Sequence, residues 1–115
     1  MTADARLPTS LYMLRGENFT AYVGDVFWLE TVQGPLEMRL VDVKIGAAPL
    51  FHGTDRCPFS LLFNSPPGDY SKTEGGMANL RHKKLGLVQG AYIAPCVADR
   101  HPSWGPGQLW AATFT

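Results

Sequence analysis

The stretch PFSLLF at residues 58–63 decides the fold of this chain. Successive side chains of a strand point to opposite faces, so Phe59, Leu61 and Phe63 lie on the same face of an extended segment. Segments rich in glycine, proline and polar residues flank the stretch on both sides. The pattern predicts a central strand of a small β core.

Five further segments show similar apolar patterns between turn signals. They are predicted as strands over 26–32, 36–45, 77–82, 87–97 and 109–114, with a bend at Gly90. One short helix is predicted over 16–24, because Phe19, Tyr22 and Val23 lie on one helical face. Gly24 then occupies the left-handed position that commonly ends a helix.

The alternation of apolar residues in the segment 36–45 changes phase partway along the segment. Leu36, Met38 and Leu40 alternate in one phase, whereas Val41 and Val43 continue in the opposite one. A β-bulge adds one residue to a strand, shifts the phase in this way and bends the sheet towards closure. The sequence therefore predicts a mainly β fold, a small antiparallel β-barrel or sandwich of about six strands with one short N-terminal helix. We expect an N-terminal arm at 1–14 and a single domain at 15–115.

The charge balance and hydropathy exclude several classes of protein. Lysine plus arginine number 10, as do aspartate plus glutamate, so the formal net charge is 0. Nucleic-acid binders carry a basic excess, because phosphate contacts supply much of their affinity, so we expect no nucleic-acid partner. Zero net charge tolerates self-association. The sequence shows neither an apolar run of about 20 residues nor a secretory signal. We therefore expect a product that is made in the cytoplasm without membrane insertion, and that stays there or is released.

The cysteines and histidines show no metal-ligand spacing. A cytoplasmic origin favours two buried, reduced thiols at Cys57 and Cys96, with a disulfide between them as the alternative. His52, His82 and His101 are widely separated and share no ligand motif. We therefore expect neither a metal site nor a cofactor. His82 precedes a turn, and we expect it to donate a hydrogen bond to the loop backbone beside Leu85-Gly86.

No set of residues has the pattern of a catalytic site. Ser60 with His82 and either Asp42 or Asp69 is the single candidate for nucleophilic catalysis. Ser60, however, lies inside an apolar strand and lacks the glycine-flanked elbow of serine hydrolases. Small hydroxyl groups in strands usually bind backbone groups. We therefore expect no catalytic residues and no enzymatic activity.

Six residues are candidates for an interaction surface. Trp104 lies in a rigid loop rich in glycine and proline, where it either contacts a partner or folds back over one mouth of the barrel. Trp28 falls on the polar side of its strand, where it could form an apolar outer patch with Tyr22 or Tyr92. Basic residues cluster at Arg81, Lys83 and Lys84, which form either a solvated turn or a contact with an acidic partner.

Residues 16–115 resemble a bacterial family of small uncharacterised domains, which is seen alongside tail-collar-type proteins of phage-derived systems. The recurring motifs read here FTAYVG at 19–24, PFSLLF at 58–63, HKKLG at 82–86, YIAP at 92–95 and WAATF at 110–114. The chain departs from the pattern at 74–77 and in a longer loop at 99–107. The resemblance implies a role in a particle, tail or appendage, so that a released product would be part of a phage or phage-like particle.

These observations predict a non-enzymatic structural or interaction module, which docks to itself or to a larger bacterial or phage-derived assembly. One docking mode is the addition of a strand to a free sheet edge, with residues 1–14 as the arm. The alternative is a barrel that binds a small molecule or glycan, with Trp28, Trp104 and Tyr92 as stacking platforms.

Overall fold

The computed structural model describes residues 14–31, 34–47, 57–68, 76–96 and 101–114. Apart from Leu14, the expected N-terminal arm lies outside these ranges, as do His52 and Asp69. The described elements are one short helix, a single 3-10 turn at Pro102–Trp104 and six strands. The helix is α1 (Glu17–Thr20), and the strands are β1 (Val26–Thr31), β2 (Gly34–Ile45), β3 (Phe59–Ser65), β4 (Gly76–His82), β5 (Gly86–Cys96) and β6 (Gln108–Phe114).

The six strands form a closed antiparallel barrel in the order β1-β2-β3-β6-β5-β4. β4 follows β3 in the chain but lies beside β1 in the barrel, which is a Greek-key arrangement. The predicted class is confirmed, and the barrel is the correct choice over the sandwich. Each strand has a neighbour on both sides over at least part of its length, so no strand of the described wall is an edge strand along its whole length.

The barrel interior is filled by the apolar residues that the alternation predicted. Phe59, Leu61 and Phe63 of β3 are buried in the core cluster, and Trp110 and Phe114 of β6 are buried with them. The Trp110 indole N–H donates a hydrogen bond of 2.9 Å to Ser65 Oγ, so the one polar atom of the indole is satisfied inside the barrel. The interior is therefore a packed core.

The predicted bulge lies in β2, where the phase change placed it. Leu40 pairs with Phe63 and Asp42 pairs with Leu62, which leaves Val41 as the extra residue. A second register shift separates the Ala78 and Leu80 pairings of β4 with β5, opposite the bend predicted at Gly90. Bulges increase local twist and bend, which helps a small sheet to close.

Helix α1 is shorter than predicted, and it covers the end of the barrel where β3 begins. Phe19 is fully buried, and its ring centroid lies 5.9 Å from that of Phe59 and 6.4 Å from that of Phe114. Gly24 has the predicted positive φ, 99°. Val23 was expected on the buried helical face, but the chain leaves the helix before this residue and Val23 is exposed.

Candidate interaction surface

Two adjacent strands present apolar side chains to solvent. Met77 of β4 is 70% exposed, Tyr92 of β5 is 52% exposed, and the two residues are direct cross-strand partners. Leu87, also on β5, is 40% exposed. Three of the five exposed large apolar residues in the described ranges therefore lie on one hairpin. We call these three residues the β4–β5 face. Isolated exposed apolar residues are ordinary, whereas a grouped set marks a contact surface.

Basic side chains border this face. Arg81 pairs across the strands with Leu87, and Lys83 and Lys84 follow in the exposed turn between β4 and β5. Hydrogen bonds to His82 hold this turn. His82 Nδ1 accepts hydrogen bonds of 3.0 Å from the Lys84 backbone N–H and 3.1 Å from that of Leu85. The predicted contact with the loop backbone is present, but His82 accepts in it, so the expected direction was wrong.

The other ring nitrogen of His82 faces Asp25. Because Nδ1 accepts two hydrogen bonds, the proton lies on Nε2, which donates to Asp25 Oδ2 at 3.0 Å. The ring is buried between Tyr22 and Phe27, with centroid distances of 5.1 Å and 4.6 Å. Every polar atom of this imidazole is therefore used to hold the turn to the start of β1.

Arg81 forms an ion pair across the β1–β4 pairing. Its Nη2 donates to Glu30 Oε1 at 2.6 Å, and Asn79 Nδ2 donates to Glu30 Oε2 at 3.3 Å. These two hydrogen bonds, the one from Arg81 first, hold the pKa of Glu30 below its ordinary value. The pair is solvent-exposed, so it fixes side-chain positions more than it stabilises the fold.

Trp28 lies directly beside this ion pair. It is the cross-strand partner of Arg81, its side chain points out of the barrel, and it is half-buried. Together with Glu30, Thr31, Gly34, Pro35 and Arg81 it lines an open depression of about 530 Å³, which we call the Trp28 groove. The expected neighbour Tyr22 instead packs against the core and His82.

Trp104 lies on the outer surface of β2, β3 and β6, across the barrel from the β4–β5 face. There it packs on three outward-facing apolar residues, Val41, Leu62 and Leu109. Its carbonyl oxygen accepts a hydrogen bond of 2.8 Å from Arg39 and one of 3.1 Å from Asn64. Trp104 thus folds back onto its own domain, which was one of the two predictions for this residue. It covers the side wall of the barrel, however, and not an open end as predicted.

The six predicted interaction residues do not form one site. The structure brings Trp28 and Arg81 together, places Tyr92 on the neighbouring β4–β5 face, and puts Lys83 and Lys84 in the adjoining turn. The three aromatic platforms of the alternative hypothesis do not line one depression, since Trp104 lines a separate one with Val26 and Arg39, and Tyr92 lies on the β4–β5 face. Met77 and Leu87 were missed, although both are apolar residues on the outward phase of their strands.

The candidate catalytic residues are also separated. Ser60 of β3 pairs with Lys44 and Thr113 and faces outward, whereas His82 is on β4 and faces inward. Strands β3 and β4 are not neighbours in the barrel. Asp42 accepts a hydrogen bond from the backbone N–H of Val43. Within the described residues, these groups cannot act as a triad.

Both cysteines are free and half-buried, so no disulfide joins them and the burial that we expected is only partial. Cys57 lies two residues before Phe59, the first residue of β3, whereas Cys96 lies near the far end of that strand, level with Leu109 and Asn64. Burial raises the pKa of the Cys96 thiol, and the nearby charge of Lys44 partly opposes this shift. In the described ranges, no three histidine, cysteine or acidic side chains cluster as metal ligands do.

No helix in the described ranges is both long and apolar enough to cross a membrane.

Comparison with known proteins places this barrel in a family. No curated protein and no solved structure matches the chain. A match to one family spans residues 14–109, which includes α1, β1–β5 and the start of β6. The chain therefore belongs to the family described as a domain of unknown function, DUF6916.

Proposed function

We propose that this domain is a non-enzymatic structural module that docks onto a protein surface through the β4–β5 face. The partner surface is either part of a larger assembly or another copy of the chain. The observation that carries the proposal is the grouping of Met77, Leu87 and Tyr92, exposed together on one hairpin. Covering such side chains gains about 25 cal/mol per Å² of apolar surface, which favours a partner with an apolar centre.

The charges around the face favour an acidic rim on that partner. Lys83 and Lys84 form a basic edge in the exposed turn beside Leu87, next to Arg81, whose charge is paired with Glu30. The hydrogen bonds of His82 hold this turn in place, so a partner meets a preorganised edge. Charged rims mainly set the orientation and the rate of association, while the apolar centre supplies affinity.

The closed wall determines how docking occurs. Since each described strand is paired on both sides over part of its length, the proposal is that a partner contacts outward side chains and does not add a strand. The separation of Ser60 from His82 supports the non-enzymatic part of the proposal. The sequence motifs extend it to an assembly of phage-derived type, in which the domain would be a particle, tail or appendage component.

Charge insertion on the β4–β5 face tests the proposal. We would compare the wild-type chain with Met77→Lys and Tyr92→Lys, using Val23→Lys as a matched control, because Val23 is an exposed apolar residue at another place. Sedimentation of the purified chain and of native lysate, with electron microscopy of the heavy fractions, reports its association. The wild type and the control should sediment far above the 12.6 kDa of one chain, and both face variants should shift to the monomer.

Two outcomes would overturn the proposal. One is a wild-type chain that sediments as a monomer both when purified and in the native lysate. The other is a pair of face variants that associate as the wild type does. Circular dichroism and thermal unfolding of each variant establish that the barrel is intact, since surface substitutions usually change stability by about 0.5 kcal/mol or less.

A further inference from the structure

The Trp28 groove has the size of a ligand site and lies apart from Met77 and Tyr92. Its volume of about 530 Å³ lies within the range of roughly 300–1,000 Å³ that ligand sites occupy. Trp28 and Glu30 of β1 form one side, Gly34 and Pro35 at the start of β2 form another, and Arg81 enters from β4. All these positions are on paired strands, so the site is rigidly supported.

The polar groups of the groove are hydrogen-bonded to one another. Glu30 accepts hydrogen bonds from Arg81 and Asn79, and it leaves 41% of its side chain open to solvent, while Arg81 leaves 59% open. Arg81 has five N–H donors and Glu30 has four acceptor positions, so both have hydrogen-bonding capacity left for a ligand. The groove thus offers donors and acceptors side by side next to a half-buried indole.

The charge state of this pair selects the class of ligand. An anionic ligand would compete with Glu30 for Arg81, and a cationic ligand would compete with Arg81 for Glu30. Either ion would be attracted by one member of the pair and repelled by the other, because the two opposite charges lie 2.6 Å apart. A neutral molecule with many hydroxyl groups meets no such repulsion, and each of its hydroxyls both donates and accepts. A ligand that also has an apolar face would cover the indole of Trp28.

We propose that the Trp28 groove is a binding site for neutral carbohydrate. The C–H face of a sugar ring lies on the indole of Trp28, while ring hydroxyls donate to Glu30 and accept from Arg81. Pro35 forms an apolar side wall for the same ring. The Thr31 hydroxyl donates to the Gly34 carbonyl oxygen at 2.5 Å, which holds the start of the hairpin beside the site.

The test uses three neutral oligosaccharides and one anionic one. Cellopentaose, maltopentaose and chitopentaose are titrated into the full chain, with a galacturonate pentamer as the anionic comparison. The indole N–H signal of Trp28 in a nitrogen–proton NMR spectrum reports binding, and isothermal calorimetry gives the dissociation constant. At least one neutral pentasaccharide should shift this signal, with a dissociation constant at least tenfold below that of the galacturonate pentamer.

Matched variants locate the site. Trp28→Ala should weaken binding at least tenfold, Trp28→Phe should keep part of the affinity, and Arg81→Lys should weaken it because the planar fork of donors is lost. Tyr92→Ala removes an exposed aromatic ring outside the groove and should leave binding unchanged. Absence of any Trp28 shift with all three neutral sugars, equal binding of the galacturonate pentamer, or full binding by a folded Trp28→Ala variant would each overturn the proposal.

Discussion

The imidazole of His82 provides the sharpest test of how this barrel is held together at one end. Replacing His82 with alanine removes the acceptor of the Lys84 and Leu85 backbone N–H groups, the donor to Asp25 and the ring between its aromatic neighbours. Asparagine at the same position places its side-chain oxygen near the place of Nδ1. It therefore restores the acceptor without restoring the ring.

The expected magnitudes follow from these contacts. A buried donor left without an acceptor costs about 1–3 kcal/mol, and the Leu85 N–H is buried while that of Lys84 is partly buried. The lost ring contacts add about 0.5–1.5 kcal/mol. We therefore expect His82→Ala to lower the free energy of unfolding by about 3–5 kcal/mol, whereas His82→Asn should lower it by about 1–2 kcal/mol.

Urea denaturation of the two variants measures this difference. A gap of about 2 kcal/mol corresponds to about 1 M in the urea midpoint, for a slope of about 2 kcal/mol per molar. Amide hydrogen exchange gives a local readout, in which the Leu85 N–H should stay protected in the wild type and in His82→Asn and lose protection in His82→Ala. If the asparagine variant is no more stable than the alanine variant, the acceptor role assigned to Nδ1 is wrong.

Two further predictions concern the backbone at Gly107 and the thiol at Cys96. A Cβ at Gly107 would overlap the Ser65 carbonyl oxygen, and φ there is 138°, so Gly107→Ala should lower the free energy of unfolding by at least about 3 kcal/mol in thermal or urea unfolding. A Cβ at Gly76 would meet no atom within 4 Å, so the free energy of unfolding of Gly76→Ala should stay within about 1 kcal/mol of the wild-type value. If the Gly76 and Gly107 variants lose equal stability, the geometry described at Gly107 is contradicted. Because burial raises the pKa of Cys96, its thiolate forms at higher pH than that of an ordinary thiol. In a Cys57→Ser variant, Cys96 should therefore react with a disulfide reagent more slowly than a model thiol near neutral pH, and a faster reaction would contradict the shift.

Features that depend on local periodicity were predictable from the sequence. The alternation around PFSLLF identified the inward face of β3, and the phase change between Leu40 and Val41 located the bulge to the residue. Both signals arise because side chains alternate strictly along a strand, so one inserted residue is visible in the pattern. The positive φ of Gly24 was predictable for a similar reason, since glycine is the residue that adopts it at low cost.

Features that depend on long-range register were not predictable. Asp25 and His82 are 57 residues apart in the sequence, and only the β1–β4 pairing brings them together. The β4–β5 face depends on the pairing of Met77 with Tyr92. That pairing is set by the register shift between β4 and β5 at Asn79. Alternation shows which residues point outward, but it does not show which of them become neighbours.

The two opposite walls of the barrel show why the exposure of the β4–β5 face is informative. Both walls have apolar residues on the outward phase of their strands. On one wall Val41, Leu62 and Leu109 are buried, because the Trp104 loop packs on them and is pinned by side-chain hydrogen bonds to its carbonyl groups. Across the barrel, Met77 and Tyr92 remain more than half exposed. The chain thus covers one outward apolar cluster with its own loop, and we infer that a partner covers the other.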